Sequence, residues 1–321
     1  MIKKDLKYYL HCFEKLRRDH KNGGAPHKPI LLLSLFQAIK SRLISNNYIT
    51  ISPELVGLFK SNWNNLVTSN HQCLFALPFY HMNSEPFWKL VPNKGCEIWV
   101  KSKSSMRSLH NITTAVKYAI IDIELFELLL IPENNELAKQ FILNLYFQNT
   151  KNNYGQNSYL NDIENQIANE DSSVYSKRIL ELRKELNEES YQEEIFIRSN
   201  IFKREIPKIY NNTCCISGLR IDSTINVSMV DACHIIPFSE SYNDTITNGI
   251  ALCPNLHRAF DRGLISIDEK YKVKVSTAFT EIENEYSIKR LENKQILLPT
   301  DERFFPSVES IKWHNSNIYK G

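Results

Sequence analysis

The stretch "VDACHIIPFSESYNDTITNGIALCPNLHRAFDRG", residues 230–263, holds His234, Asn248 and His257, with Asp231 ahead of the first histidine and Asp261 four residues past the second. Hydrolysing a phosphodiester needs a base to take a proton from water. It also needs a cation to offset charge on the phosphate and on the departing oxygen. An imidazole that is neutral near pH 7 meets the first need. Residues four apart on a helix share a face, so His257 and Asp261 are expected to reach one divalent cation together. Asn248 either fixes the intervening loop through backbone groups or offers its carbonyl oxygen to the cation. The competing reading is a hairpin with a tight Asn-Gly turn whose polar residues share no task.

The elements that must deliver these side chains are legible around them. A β-branched run ends at His234, "IALC" follows Asn248 and Gly249 as a second strand, and "PNLHRAFD" has the pattern of a helix. The unit is strand, loop, strand, helix, a ββα arrangement with a histidine on the first strand and another on the helix. Leu256, Phe260, Ile265 and Ile267 are its expected apolar contacts.

At 321 residues the chain is long enough for more than one domain. It has no apolar run of about eighteen residues, which excludes a membrane-spanning helix on hydropathy. Charges interrupt "MIKKDLKYYLHCFEKLRRDHK", so it does not read as a secretory signal. Seven cysteines in no regular framework suit reduced thiols and a cytoplasmic location. The net charge of +3 is uneven: residues 1–110 carry about +10 and residues 111–200 about −7. A basic front end suits a polyanion, because Lys and Arg that neutralise phosphates release counterions. Solvated Lys-rich helices are the other source of such a charge.

The fold class expected is α+β in three parts with a tail. Residues 1–150 form a helical and stranded unit: an amphipathic helix with Leu6, Tyr9, Leu10, Phe13 and Leu16, a loop at "HKNGGAPHKP", and a helix opening at Pro29. Another helix follows, N-capped by Ser52. The aromatic-rich runs of 73–100 read as strands and later segments as helices. Residues 151–197 read as a polar linker ending in a charged helix, 198–300 as the ββα-containing domain and 301–321 as a tail.

"DACHIIPF…NGIALCPNLHRAFDRGLISID" resembles the HNH endonucleases, in the branch with an "A-x-H-I" first motif and an "H-x-x-F-D-x-G" last motif, and the lead-in "IRSNIFKREIPKIYNNTCCISG" resembles that branch as well. The similarity covers about 196–275. It implies metal-dependent DNA cleavage with His234 as general base, Asn248 as loop-orienting or ligating residue, His257 as metal ligand, and Asp231 and Asp261 as further candidates for ligand or orienting roles, the metal being Mg2+, Mn2+ or another divalent ion. Many relatives hold a structural zinc ion in two C-x-x-C pairs. Here Gly218 and Leu256 stand three residues after Cys215 and Cys253, so no structural zinc is expected.

"GGAPHKPILLL" and "LPFYHMNSEPFWKLVP" resemble the sulfur-binding domain of McrA-type restriction endonucleases, over about residues 8–148. That resemblance implies recognition of duplex DNA carrying a backbone phosphorothioate. An apolar cup of Leu77, Pro78, Phe79, Tyr80 and His81 would take the sulfur, faced by Arg17, Arg18, Lys21, Gly23, Gly24, His27 and Lys28. The logic is that sulfur is larger, softer and less hydrated than oxygen, so apolar atoms favour it while nearby donors hold the phosphate. The combined expectation is a modification-dependent restriction endonuclease of host-defence type. It would act as a homodimer, since each chain has one cutting unit and a duplex has two strands. Three alternatives stand beside it: a nuclease reading a modified base or unmodified sequence, a non-catalytic DNA-binding regulator with an inactive HNH fold, and a protein-interaction adaptor.

Overall fold

A computed structural model describes residues 4–20, 23–102, 106–221 and 228–321. The chain is mixed helix and strand with small sheets, in two units: residues 1–162 with 186–197, and residues 163–185 with 198–321.

In the first unit, helix α1 (Leu6–Glu14) starts where the Asp5 carboxylate accepts the Tyr8 N–H, and it buries Tyr9 and Phe13. Helix α2 (His27–Lys40) is apolar nearly all round, from Ile30 to Ile39. A helix with that pattern belongs at the centre of a core. It packs against α3 (Pro53–Leu66), α4 (Ala76–His81), α6 (Ile123–Leu130) and α7 (Pro132–Tyr146). Ser52 caps α3 by accepting the Leu55 N–H, as the sequence indicates. Strands β1 (Tyr48–Ile49), β2 (Trp88–Pro92) and β3 (Val116–Ile121) make an antiparallel sheet in the order β1-β3-β2, with Leu90 opposite Ala119, and α5 (Leu109–Ala115) leads into β3.

The expected strands of 73–100 are only partly present. "EPFWKLV" supplies β2, but "ALPFYH" is helix α4 and the run near Trp99 is a 3-10 turn. The helix wins because Phe75 and Phe79, four apart, pack their rings 5.6 Å from each other within one aromatic cluster, Phe75 also against Phe59 and Phe79 against Trp88. The buried Glu193 carboxylate also accepts the N–H groups of Phe75 and Ala76.

Residues 151–197 are not a linker in the structure. They carry α8 (Tyr159–Asn169), α9 (Ser172–Glu185) and the start of α10 (Glu188–Ile209), and they bury Ile163, Ile167, Tyr175 and Ile179. A polar composition hides the stripe because one buried residue per turn is enough to dock a helix.

In the second unit, β4 (Asp231–His234) pairs antiparallel with β5 (Gly249–Leu252), placing His234 opposite Gly249. Between them lie α11 (Phe238–Ser241) and a 3-10 turn at Ile246–Asn248. Helix α12 (Pro254–Asp261) packs on both strands, burying Leu256, Ala259 and Phe260. There is no two-residue Asn-Gly turn: Gly249 has an extended backbone and opens β5. Glycine is needed there for space, because a Cβ would collide with the side chains of Ile206 and Phe202 on α10. A second hairpin, β6 (Ile265–Ile267) with β7 (Val273–Val275), buries Ile265 and Ile267. Residues 301–321 are not a loose tail: α13 (Val308–Asn317) packs on β6 and buries Ile311 and His314. Among the described residues no helix is long and apolar enough to cross a membrane.

One buried ion pair decides how a basic residue of the first unit is used. Lys28 donates to Glu85 and, at 2.9 Å, to the Ser84 hydroxyl, and both charged residues are 5% exposed. Lys28→Met strands the Glu85 carboxylate, so thermal unfolding should show a loss of roughly 3–5 kcal/mol. Unchanged stability with weaker DNA binding would instead mean that this ammonium serves a phosphate.

Candidate functional site

His234 ends β4 with its Nε2 at 2.8 Å from Asp244 Oδ1. Asp244 is fully buried, and its other oxygen accepts the Ser199 hydroxyl at 3.5 Å. A carboxylate only accepts, so it fixes Nε2 as the N–H of the neutral ring and leaves Nδ1 as the basic nitrogen. The Phe202 ring of α10 stacks on the imidazole at 4.0 Å and 8°, which sets its plane. A buried carboxylate on one nitrogen also stabilises the imidazolium that forms when the other takes a proton.

His257, on α12, sits between two carboxylates. Its Nδ1 is 3.7 Å from Asp231 Oδ2 and its Nε2 is 3.5 Å from Asp261 Oδ2. Ligand atoms of Cys233, His257 and Asp261 lie within 4.8 Å of one another. Carboxylate oxygens and an imidazole nitrogen suit a divalent cation, the carboxylates favouring Mg2+ or Mn2+. Cys233 is fully buried, and burial with Asp261 beside it pushes its thiol well up, so the oxygen and nitrogen donors are the fitting ones. His234, His257 and Asp261 line one cavity of about 370 Å³, together with Ile235, Pro237, Phe238, His314 and Ile318. The two histidines and Asp261 therefore share a space.

Asn248 is not on that cavity. It is fully buried: its Oδ1 accepts the Ile236 N–H at 2.9 Å, and its Nδ2 donates to Ile236 O and Asn243 O at 2.9 and 3.0 Å. Its carbonyl oxygen is thus used by a backbone donor, and its amide ties the two ends of the loop together.

Four residues here were not foreseen. Asp244 and Phe202 hold His234, Ser199 donates to Asp244, and His314 comes from the C-terminal helix. His314 stacks on Phe260 at 3.8 Å and bonds Ser266 Oγ at 2.8 Å; burial pushes its imidazole down to about 4, so it is a neutral wall residue. Asp244, an acid in the loop after His234, is the one with a sequence signal, since a general-base histidine calls for an orienting carboxylate.

In the first unit a cavity of about 780 Å³ is lined by Arg17, Arg18, Asp19, His20, Ala25, His27, Lys28, His71, Leu77, Pro78, His81 and Ser84. Leu77, Pro78 and His81 lie on one face of α4, as i, i+1 and i+4. Phe79 and Tyr80 fall on its other face and correct the expected cup: Phe79 is fully buried, and the Tyr80 hydroxyl donates to Val100 O at 2.7 Å. Lys28 reaches the wall but is spent on Glu85, as described above. His27 is also not a cation. Its Nε2 lies 2.9 Å from Gln72 O, and burial pushes it down to about 4.

Arg18 stacks over the Tyr146 ring at 4.4 Å and donates to Ala25 O at 3.3 Å. Gly23 and Gly24 take φ of +82° and +88°, and a Cβ on Gly24 would press on the Arg18 guanidinium at 3.0 Å, so the glycines shape the loop rather than line the cavity. Lys21 lies outside the described residues.

Residues 214–268 match the family model described as HNH endonuclease, and the chain therefore carries a C-terminal HNH domain. Two solved structures are similar to it. "Modification dependent TagI restriction endonuclease" aligns at 21% identity over 36% of this chain and 37% of its own, with a TM-score of 0.27, so the chain spans little more than a third of that structure. "Structure of the Type IV phosphorothioation-dependent restriction endonuclease ScoMcrA" aligns at 10% identity over 78% of this chain and 94% of its own, with a TM-score of 0.31. No curated protein matches the chain.

Proposed function

We propose that this chain is a DNA endonuclease that cuts duplexes marked by a backbone phosphorothioate. The observation that carries the cutting half is the single cavity shared by His234, held by Asp244, and the His257–Asp261 pair. In this reading Nδ1 of His234 takes the proton of the attacking water, and Asp244 stabilises the charged ring. His257 and Asp261, with Asp231 beside them, would hold the divalent cation, which supplies the charge that offsets the developing negative oxygen. Asn248 keeps the loop, and with it His234 and Asp244, in register. A second copy of the chain would serve the second strand.

The reading half rests on Leu77, Pro78 and Ala25 as apolar wall with Arg17 and Arg18 among the lining residues of the same cavity. Apolar atoms favour sulfur over oxygen, while guanidinium groups hold the phosphate in either case. Equilibrium binding should be compared on two duplexes that differ in one phosphorothioate, without divalent metal. If the sulfur covers roughly 40–50 Å² of apolar surface, the gain is about 1 kcal/mol, or five- to tenfold tighter binding. Equal affinity would remove the sulfur from this proposal. The cavity is larger than one sulfur needs, which favours a modified base as the second reading. Duplexes with a modified base and an ordinary backbone test that reading in the same titration.

A further inference from the structure

Three exposed arginines around the nuclease cavity have no part in the chemistry above. At about 100° per residue along α12, Leu256, Ala259 and Phe260 turn inward, and the outer face runs in a fixed order. His257 comes first, Asp261 lies about 40° on, Arg258 about 60° further, and Arg262, which ends the helix, about 40° beyond that. Two residues that line the cavity are thus followed round the helix by two guanidinium groups. Both arginines are exposed, and neither forms an ion pair or a side-chain hydrogen bond among the described residues. Asp261, the carboxylate next to them in sequence, is turned to His257 Nε2 instead. A third guanidinium stands by another wall of the same cavity. Phe238 lines that wall, and the Tyr242 ring packs edge-on against it at 5.8 Å. Tyr242 holds a φ of +52°, in the left-handed region that few non-glycine residues adopt. Arg183, exposed on α9, lies over the Tyr242 ring at 5.6 Å and donates to its hydroxyl, which leaves other N–H groups of the guanidinium for an outside acceptor.

We propose that Arg183, Arg258 and Arg262 hold the DNA phosphates that flank the scissile one. The inference rests on the reading of this chain as a DNA endonuclease and names the residues that dock the strand at its nuclease cavity. The cavity lining itself holds no lysine or arginine. Its histidines and Asp261 meet the phosphate being cut, and the backbone on either side needs cations of its own to stay in place. Guanidinium groups suit that task, because their forked N–H donors pair with two phosphate oxygens at once. Arg258 and Arg262, four apart on one face, repel each other in the free chain, and a bound polyanion relieves that repulsion. Cations in the last turn of α12 also complement the helix dipole. That role needs no partner and leaves no trace in the salt dependence of DNA binding.

The test is equilibrium binding of duplex DNA to the 321-residue chain without divalent metal, at salt from about 50 to 200 mM, since each phosphate contact adds about 0.9 to the slope of log affinity against log salt. Arg258→Gln with Arg262→Gln should make the slope shallower by about 1.8, so the unsubstituted chain loses about twelvefold more affinity than the variant over that range. Adding Arg183→Gln should remove about 0.9 more. Lysine at 258 and 262 keeps both charges and should restore most of the slope. Arg303→Gln, at an exposed arginine already paired with Asp301, should leave the slope unmoved. All four side chains are exposed, so the unfolding midpoint should hold in every variant. A slope that either glutamine step leaves unchanged, or that Arg303→Gln lowers as much, would overturn the proposal. Cleavage enters none of these readings. A chain with these slopes that never cuts DNA would lose the nuclease reading and keep this one, and a chain that cuts without them would do the reverse.

Discussion

His234→Ala should lower the single-turnover rate of DNA cleavage by about 10²–10⁴-fold, the range that removing a positioned general base produces. DNA affinity, measured without divalent metal, should stay within about twofold, because the base acts only as the bond breaks. The reasoning is local. The ring is held by Asp244 on Nε2 and by Phe202 on its face, and it lines the cavity that His257 and Asp261 also line. Alanine leaves His257, Asp261 and the loop hydrogen bonds of Asn248 in place but takes the Nε2 partner from the buried Asp244 carboxylate, so an unfolding midpoint measured beside the rate separates lost proton transfer from lost stability. A variant that binds DNA tenfold more weakly and cuts bound DNA at the normal rate would move His234 from chemistry to binding.

Asn248→Ala should cost on the order of 3 kcal/mol, seen as a lower unfolding midpoint of the second unit, and should lose cleavage with it. Three backbone groups, Ile236 N–H, Ile236 O and Asn243 O, lose the amide together, with Ile236 O keeping the Ser241 hydroxyl at 3.4 Å. Asn248→Asp keeps the acceptor for Ile236 but turns the amide donor into an oxygen facing two carbonyls, so it should be no less damaging. A metal-ligating asparagine behaves otherwise. Its alanine variant would unfold at the normal temperature and need more Mn2+ to reach full activity, and that result would return Asn248 to the ligand set.

The parts of the site that were legible in the sequence are those that lie close along the chain. Asp231, His234, Asn248, His257 and Asp261 fall within one strand-loop-strand-helix unit, whose spacing already dictates which residues face one another. What was not legible depends on packing across distance. Phe202 reaches His234, and Ser199 reaches Asp244, from a helix more than thirty residues earlier, and His314 arrives from the far end of the chain. The chain's last segment is polar and short, so nothing in its composition announces α13; the signal is Ile311 and His314 on one face, visible only once β6 is there to cover them. The cup shows the same limit at smaller scale. "LPFYH" reads as a strand by composition, and a strand would turn Leu77, Phe79 and His81 to one side. The helix turns Leu77, Pro78 and His81 there instead, and sends Phe79 and Tyr80 into the core. Lys28 shows a related limit: a lysine beside a basic loop looks free to contact a phosphate until the fold brings Glu85 against it.

The account stands on the cavity of the HNH domain being a site of metal-dependent phosphodiester hydrolysis. Supercoiled plasmid carrying phosphorothioates, incubated with the 321-residue chain and Mn2+ or Mg2+, tests that most directly. Nicked and linear DNA should appear with the cation, be absent with a chelator, and be absent for His234→Ala. Supercoiled DNA that persists with the wild-type protein under every divalent cation would contradict the account and leave a DNA-binding protein with an inactive nuclease fold.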